Sequence, residues 1–256
     1  MKTLSYLMLA GMLFLGLHVQ AQTADEIIDT YFENIGGKDN LRALTGLKMV
    51  AKVNQQGMEI PLEIFQMSDG RQMTVVKFQG KEIKQGVFDG ETLWSTNFMT
   101  MQPEKSDAET TENLKLNSND FPDSFLDYKE KGYTAELLGK ETIEGTETYK
   151  IKLIKEPLTI DGETKEDVSF YYFETENFVP IAVESEVHMG PMKGQTQLVT
   201  MSDYQEVEGL YFAFSMSQGI KGGASQPIVM ESIELNPAVE DSAFEFPEQM
   251  AEENKQ

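Results

Sequence analysis

Apolar residues recur along this chain in two rhythms, and the change from one to the other divides it. Over 23–35, Ile27, Ile28, Tyr31, Phe32 and Ile35 follow the stripe of an amphipathic helix. Thr23 and Glu26 form a capping box at its start, and Gly36-Gly37 ends it. A second short helical turn is expected over 38–44. From Leu47 onwards the period drops to two. In 58–64, Met58, Ile60, Leu62 and Ile64 point one way, and Glu59, Pro61 and Glu63 the other. Pro61 has no N–H to give to a ladder, so this strand is expected at or near a sheet edge.

Acid-glycine pairs punctuate the alternating region: Asp69-Gly70, Asp89-Gly90, Glu144-Gly145, Asp161-Gly162 and Glu208-Gly209. The Asp-Gly pairs are strong hairpin signals and the Glu-Gly pairs weaker ones. Strand-like runs lie near 47–55, 58–68, 71–79, 82–88, 91–97, 133–139, 146–155, 166–174, 179–188, 195–204, 209–218 and 227–235. Their regular spacing predicts an antiparallel meander, mainly β with a few helices. The rhythm fails over 98–131, which reads as an insertion with one or two short helices, one of them at 121–128, forming a cover or a loop. The domain is read as 22–247, followed by an acidic flexible tail at 248–256.

The N-terminus changes the picture of where the chain works. Lys2 precedes an apolar run from Leu4 to Leu17, and Val19 and Ala21 fit a small-residue cleavage site. This predicts a signal peptide over 1–21 and a periplasmic protein. The run of about 14 residues is too short to span a bilayer as a helix, which takes about 20. The chain of 256 residues has no Cys, hence no disulfide and no acylation site at the cleavage point. Its net charge is −22, and loss of 1–21 would remove one lysine and no acid. Such a charge repels nucleic acid and anionic lipid, which leaves at most transient membrane contact, and it favours a partner with a basic face. The chain is read as a monomer.

Catalytic parts are scarce. His188 is the only histidine outside the predicted signal peptide, so no His/Cys metal cluster can be assembled. There is no nucleophile elbow, phosphate loop, dinucleotide fingerprint or H-E-x-x-H. Paired carboxylates are expected by chance among 43 acids. Asn117, Asn119, Asp120 and Asp123 lack the glycine and final Glu of a calcium loop and read better as a cap. No enzyme, metal or cofactor is expected.

Greasy residues point instead to a cavity. The chain has 15 Met and 15 Phe. Trp94, Phe98, Met99 and Met101 precede the insertion, and Phe125 lies near its end. Methionine fills variable apolar spaces. A long meander on a twisted sheet tends to curl. With Met58, Ile60, Leu62, Ile64, Met73 and Val75, these residues are the candidate lining of a trough for acyl chains.

The order of several pieces resembles the LolA/LolB-like family of periplasmic lipoprotein carriers, in particular the outer-membrane lipoprotein-sorting proteins of Bacteroidetes-like bacteria. The pieces are Thr23-Ala24-Asp25-Glu26-Ile27-Ile28 with Gly36-Gly37, Phe88-Asp89-Gly90-Glu91-Thr92-Leu93-Trp94, Ser202-Asp203-Tyr204 with Val207-Glu208-Gly209-Leu210, and Asp241-Ser242-Ala243-Phe244-Glu245-Phe246-Pro247. The resemblance implies an unclosed β-barrel of about eleven antiparallel strands with a helical lid and an apolar cavity. It implies a carrier of lipoprotein or other lipid acyl chains, with Arg71 tethering the lid. A non-catalytic, lipid-sensing or interaction module of the same fold is the alternative, since fold does not fix function.

Overall fold

The computed structural model describes residues 22–55, 57–188 and 190–248. The predicted signal peptide and nearly all of the predicted tail lie outside them. In chain order the elements are α1 (Ala24–Asn34), α2 (Lys38–Arg42), β1 (Gly46–Gln55), β2 (Met58–Met67), β3 (Gln72–Phe78), β4 (Lys81–Phe88), β5 (Leu93–Thr96) and β6 (Pro103–Lys105). Then come α3 (Ala108–Ser118), β7 (Thr134–Ile143), β8 (Thr146–Ile154), β9 (Leu158–Ile160), β10 (Glu163–Lys165) and β11 (Val168–Glu174). The chain continues through β12 (Pro180–Glu186), β13 (Thr196–Val207), β14 (Leu210–Ile220), β15 (Ser225–Leu235) and a single 3₁₀ turn, Asp241–Ala243.

Thirteen strands form one antiparallel sheet in the order β6-β5-β4-β3-β2-β1-β15-β14-β13-β12-β11-β8-β7. β6 and β7 are its two edges, so the barrel is unclosed. The β9–β10 hairpin stands apart as a two-stranded sheet. The count exceeds the expected eleven or so because short runs such as β6, only three residues long, add a rung at the edge.

Local chemistry explains most boundaries. Thr23 Oγ1 accepts from the Glu26 N–H at 3.2 Å, and Glu26 Oε2 accepts from the Thr23 N–H at 2.8 Å, the reciprocal cap expected of α1. The two-residue turns Glu144-Gly145, Asp161-Gly162 and Glu208-Gly209 all have positive φ at both positions. Glu therefore takes the left-handed first position as Asp does, because the strands on either side impose the turn's twist. Gly36, at φ +109°, is required by contact: a Cβ there would lie 2.2 Å from Gly209 O.

Pro61 does not mark an edge. β2 is an inner strand, flanked by β1 and β3. Its ladder to β3 begins at Leu62↔Val76, and Pro61 pairs only with Lys52 of β1. The missing N–H thus falls where one of the two ladders has stopped.

The helix of the insertion is α3, not 121–128, which forms consecutive turns. α3 buries Thr111 and Asn113 rather than an apolar stripe. Asn113 Nδ2 donates to Thr159 O at 2.7 Å and its Oδ1 accepts from Thr159 N at 3.0 Å. Glu109 accepts from the Asp161 and Gly162 N–H groups at 2.8 Å each. A helix held by polar contacts to β9–β10 leaves no hydrophobic period to read.

Candidate functional site

Directly paired residues share a sheet face. Ala51 pairs with Leu62 and Met230, Leu62 with Val76, and Val76 with Ile83. These residues, with Phe212, Phe214 and Met216 of β14, lie on the inner face, where α1 also packs. The pleat turns Phe65, Met67, Met73 and Val75 to the outer face.

The inner face is covered unevenly. α1 and the turns of 121–133 lie on it, burying Ile27, Ile28, Phe32, Phe125, Leu126 and Tyr133 against Ile151, Leu153 and Phe173. This cover reaches along β8 and β11 but meets β1, β14 and β15 only at Leu47, Leu210, Phe212, Ile233 and Leu235, one end of each strand. Towards the other end, Ala51, Phe214 and Met230 are buried, while Met49, Leu62, Met216 and Ile228 around them are only partly so. Ile60, Ile64, Val53, Val76, Val199 and Met201 are likewise half-buried. An apolar surface, rich in methionine, is left open there.

The two cover elements are joined by polar bonds. Tyr31 OH donates to Asp123 Oδ2 at 2.7 Å. Tyr128 OH donates to Asp25 of α1, and from the neighbouring α2 Arg42 Nη2 bonds Asp127 Oδ1 at 2.6 Å. Burial raises the Asp123 carboxyl above the usual carboxylate value, and burial with the Asp123 charge raises Tyr31 well above a free phenol. Tyr171 is pushed up to about 12, first by burial. Behind them Lys155 Nζ contacts Asp120 Oδ2 and Asp167 Oδ2 at 2.9 Å each. Asp120 and Asp123, weighed as parts of a calcium loop, are thus engaged with Lys155 and Tyr31.

A cleft of about 700 Å³ opens beside the C-terminal end of α1, between Ile35, Val179, Ile181 and Met201, with Glu174, Glu176 and Asp203 at its margin. No residue of the sequence-predicted lining reaches it. Among the described residues, no group of three or more His, Asp or Glu is placed to hold a metal ion.

The sequence-predicted lining is divided by the pleat. Ile60, Leu62 and Ile64 share the open inner face with Ala51 and Met49. Met58 stands at a hairpin tip, 52% exposed. Met73, Val75 and Trp94 are on the outer face, packed under Phe244 and Phe246. Phe98 and Met99 project from the β5–β6 turn, and Met101 is half-buried beside them. Phe125 is 1% exposed within the cover itself. Alternation along one strand was legible; which face each later strand presents depends on register. Sequence reasoning missed Ala51, Phe214, Met216 and Met230, and the signal that finds them is period two in β1, β14 and β15.

Arg71 contacts a different cover from the expected lid. Its guanidinium bonds Asp69 at 2.8 Å and Asp241 at 2.5 Å, and lies 5.1 Å from the centre of the Phe244 ring. The segment it holds is the C-terminal strap over the outer face, where Trp94 Nε1 also donates to Phe244 O at 3.0 Å. Arg71→Leu is expected to loosen this strap at a cost of about 1 kcal/mol or less, because Asp241 is largely in water. Trp94, the one tryptophan, reports it: the emission should shift to the red, and an unchanged spectrum with unchanged amide exchange over 239–248 would refute the tether.

At the level of sequence, no family model and no curated relative matches the chain. Among solved structures, it is similar to a LolA superfamily protein from Nitrosomonas europaea, at 14% identity and a TM-score of 0.53, covering 88% of this chain and 98% of that one. A candidate outer-membrane lipoprotein-sorting protein domain from Vibrio parahaemolyticus matches at 13% and 0.52, covering 86% and 94%. A DUF1329 family protein from Desulfovibrio piger matches at 12% and 0.52, covering 89% and 98%. The chain has the LolA-like fold, a large unclosed antiparallel sheet with few helices.

Proposed function

We propose that this protein is a non-catalytic periplasmic carrier that seats the acyl chain of a lipoprotein or other lipid on the open half of the inner face and passes it towards the outer membrane. One observation carries the reading: the ring of half-buried Met49, Leu62, Met216 and Ile228 around Ala51, Phe214 and Met230. A protein with net charge −22 leaves such a surface uncovered only at a cost, unless something apolar returns to it. Methionines suit chains of differing length and branching, because their side chains rearrange cheaply.

The energetics favour exchange. Burying an acyl chain contributes about 0.8 kcal/mol per methylene, so a chain of 14 methylenes gains roughly 11 kcal/mol gross. A bilayer offers a similar gain, so transfer in either direction needs no large driving force. Two of the similar structures bear names that refer to LolA and to lipoprotein sorting, which supports this reading at the level of fold.

The test is binding of a fluorescent acyl probe, with native mass spectrometry of protein taken from envelope extract. The wild type should retain lipid. Phe214→Glu with Met230→Glu places two charges in the trough and should weaken probe binding by more than about tenfold, given the desolvation cost of a charge. A wild type without lipid, or a double variant that binds as well, would overturn the carrier reading.

A further inference from the structure

In the antiparallel order, ten strands form five adjacent hairpins: β5–β6, β3–β4, β1–β2, β14–β15 and β12–β13. Their described tip residues, 97–102, 79–80, 57, 221–224, 187–188 and 190–195, all lie at one end of the sheet. None contains an Asp or Glu, although the chain carries 43. The five connections at the opposite end, 68–71, 89–92, 144–145, 175–179 and 208–209, each contain at least one, such as Asp69, Asp89, Glu144, Glu176 and Glu208. The long link between β8 and β11 reaches the same end and is the exception: it carries Glu156, Asp161, Glu163, Glu166 and Asp167, of which Asp161 pairs with Lys193 of the β12–β13 tip and Asp167 with Lys155.

The same rim carries the three most exposed large apolar side chains among the described residues, Met99, Phe98 and Met58. Met99 is 93% and Phe98 61% exposed, with Met58 and Met192 about half so. Hydrogen bonds brace the β5–β6 tip: Met101 N donates to Asn97 O at 2.8 Å, and Asn97 Oδ1 accepts from Met99 N at 2.8 Å and Thr100 N at 3.1 Å. Phe98 and Met99 are therefore held outward by the turn. The open half of the inner face runs to this same end, since Val53, Ile60 and Ile228 pair there.

We infer that this row of acid-free tips is a membrane-contact edge, on which Phe98 and Met99, with Met58 and Met192, enter the headgroup region of a bilayer and bring the mouth of the trough to the lipid. The chemistry is that of interfacial anchoring by a few apolar side chains without net charge. Charge favours the orientation: the five tips carry Lys193 and Lys221 and no acid, so an acidic protein approaches a lipid surface more readily by them than by the acidic turns opposite. Adjacent tips are about 10 Å apart, two strand spacings, so they form a row of separate knobs, which a fluid bilayer accommodates more readily than a fixed protein groove. The inference rests on the carrier reading for its purpose, and its test does not.

The protein has no cysteine, so single cysteines take a dye uniquely. Met99→Cys and, at the opposite end, Glu144→Cys are labelled with a polarity-sensitive fluorophore and mixed with phosphatidylcholine vesicles. The label at 99 should shift to the blue and the label at 144 should not. Phe98→Ser with Met99→Ser should weaken vesicle flotation by at least about tenfold, from the lost apolar burial. Its binding of a soluble acyl probe should be unchanged, which also shows that it is folded. No shift at 99, equal shifts at both positions, or flotation only with cationic vesicles would each overturn the rim. Loss of the probe alone would sink the carrier reading and leave the rim standing.

Discussion

Phe125→Ala is expected to lower the unfolding free energy by about 3–5 kcal/mol, the range for removing a large aromatic from a closed core. Phe125 is 1% exposed and its ring centre lies 4.6 Å from that of Tyr171, 5.5 Å from Phe173 and 6.3 Å from Tyr128, all in tilted or edge-on contacts. Truncation leaves a void between the cover and β11 that neither α1 nor the sheet can close. Such a loss is a large share of a typical domain stability of about 5–15 kcal/mol. Urea unfolding followed by circular dichroism measures it. The same variant decides what Phe125 does. As a core residue it should leave acyl-probe binding per folded molecule unchanged, whereas a residue that lines the trough would lower it beyond the fraction unfolded.

Lys155→Met should cost a similar amount, about 3–5 kcal/mol, because in a poorly hydrated place it leaves Asp167 without its cation and Asp120 with only Lys131, at 3.9 Å. The Lys155, Asp120 and Asp167 side chains are only 12%, 14% and 11% exposed. Burial opposes the Lys155 charge, but Asp120 and Asp167 outweigh it and hold its pKa above the ordinary lysine value. Because the folded pKa is raised, this contribution is fully present below the ordinary lysine value and is lost only as pH climbs through the folded one. At pH 7 the whole deficit of the variant should therefore appear. Adding Asp120→Asn and Asp167→Asn to the variant should recover part of the loss. A triple variant as unstable as Lys155→Met would mean that the loss came from packing rather than charge.

Both predictions concern the cover, and the cover is where sequence and structure part most clearly. α1 was legible to the residue at its start, since Thr23 and Glu26 satisfy the first-turn N–H groups without help from the rest of the chain. The twelve long strand runs were legible too, because alternation and turn residues are local properties. Short β6, β9 and β10 and the polar helix α3 were not. Their backbone bonds depend on partners far along the chain, as Asn113 does on Thr159.

Sequence by itself therefore determined a mainly antiparallel β protein with an N-terminal capped helix, strongly acidic and without cysteine, with its apolar residues alternating along the strands. Tertiary structure alone decided which alternating set faces inward, because register is set by pairing between distant strands such as β1 and β15, whose bulge at Val50/Ala51 shifts every later pair. It decided that Met73, Val75 and Trp94 pack under the C-terminal strap while Ala51, Phe214 and Met230 cluster on the inner face. It also gathered five acid-free turns, scattered from 57 to 224, onto one rim. Each turn is unremarked alone, and only the hairpin order of the sheet sets them side by side.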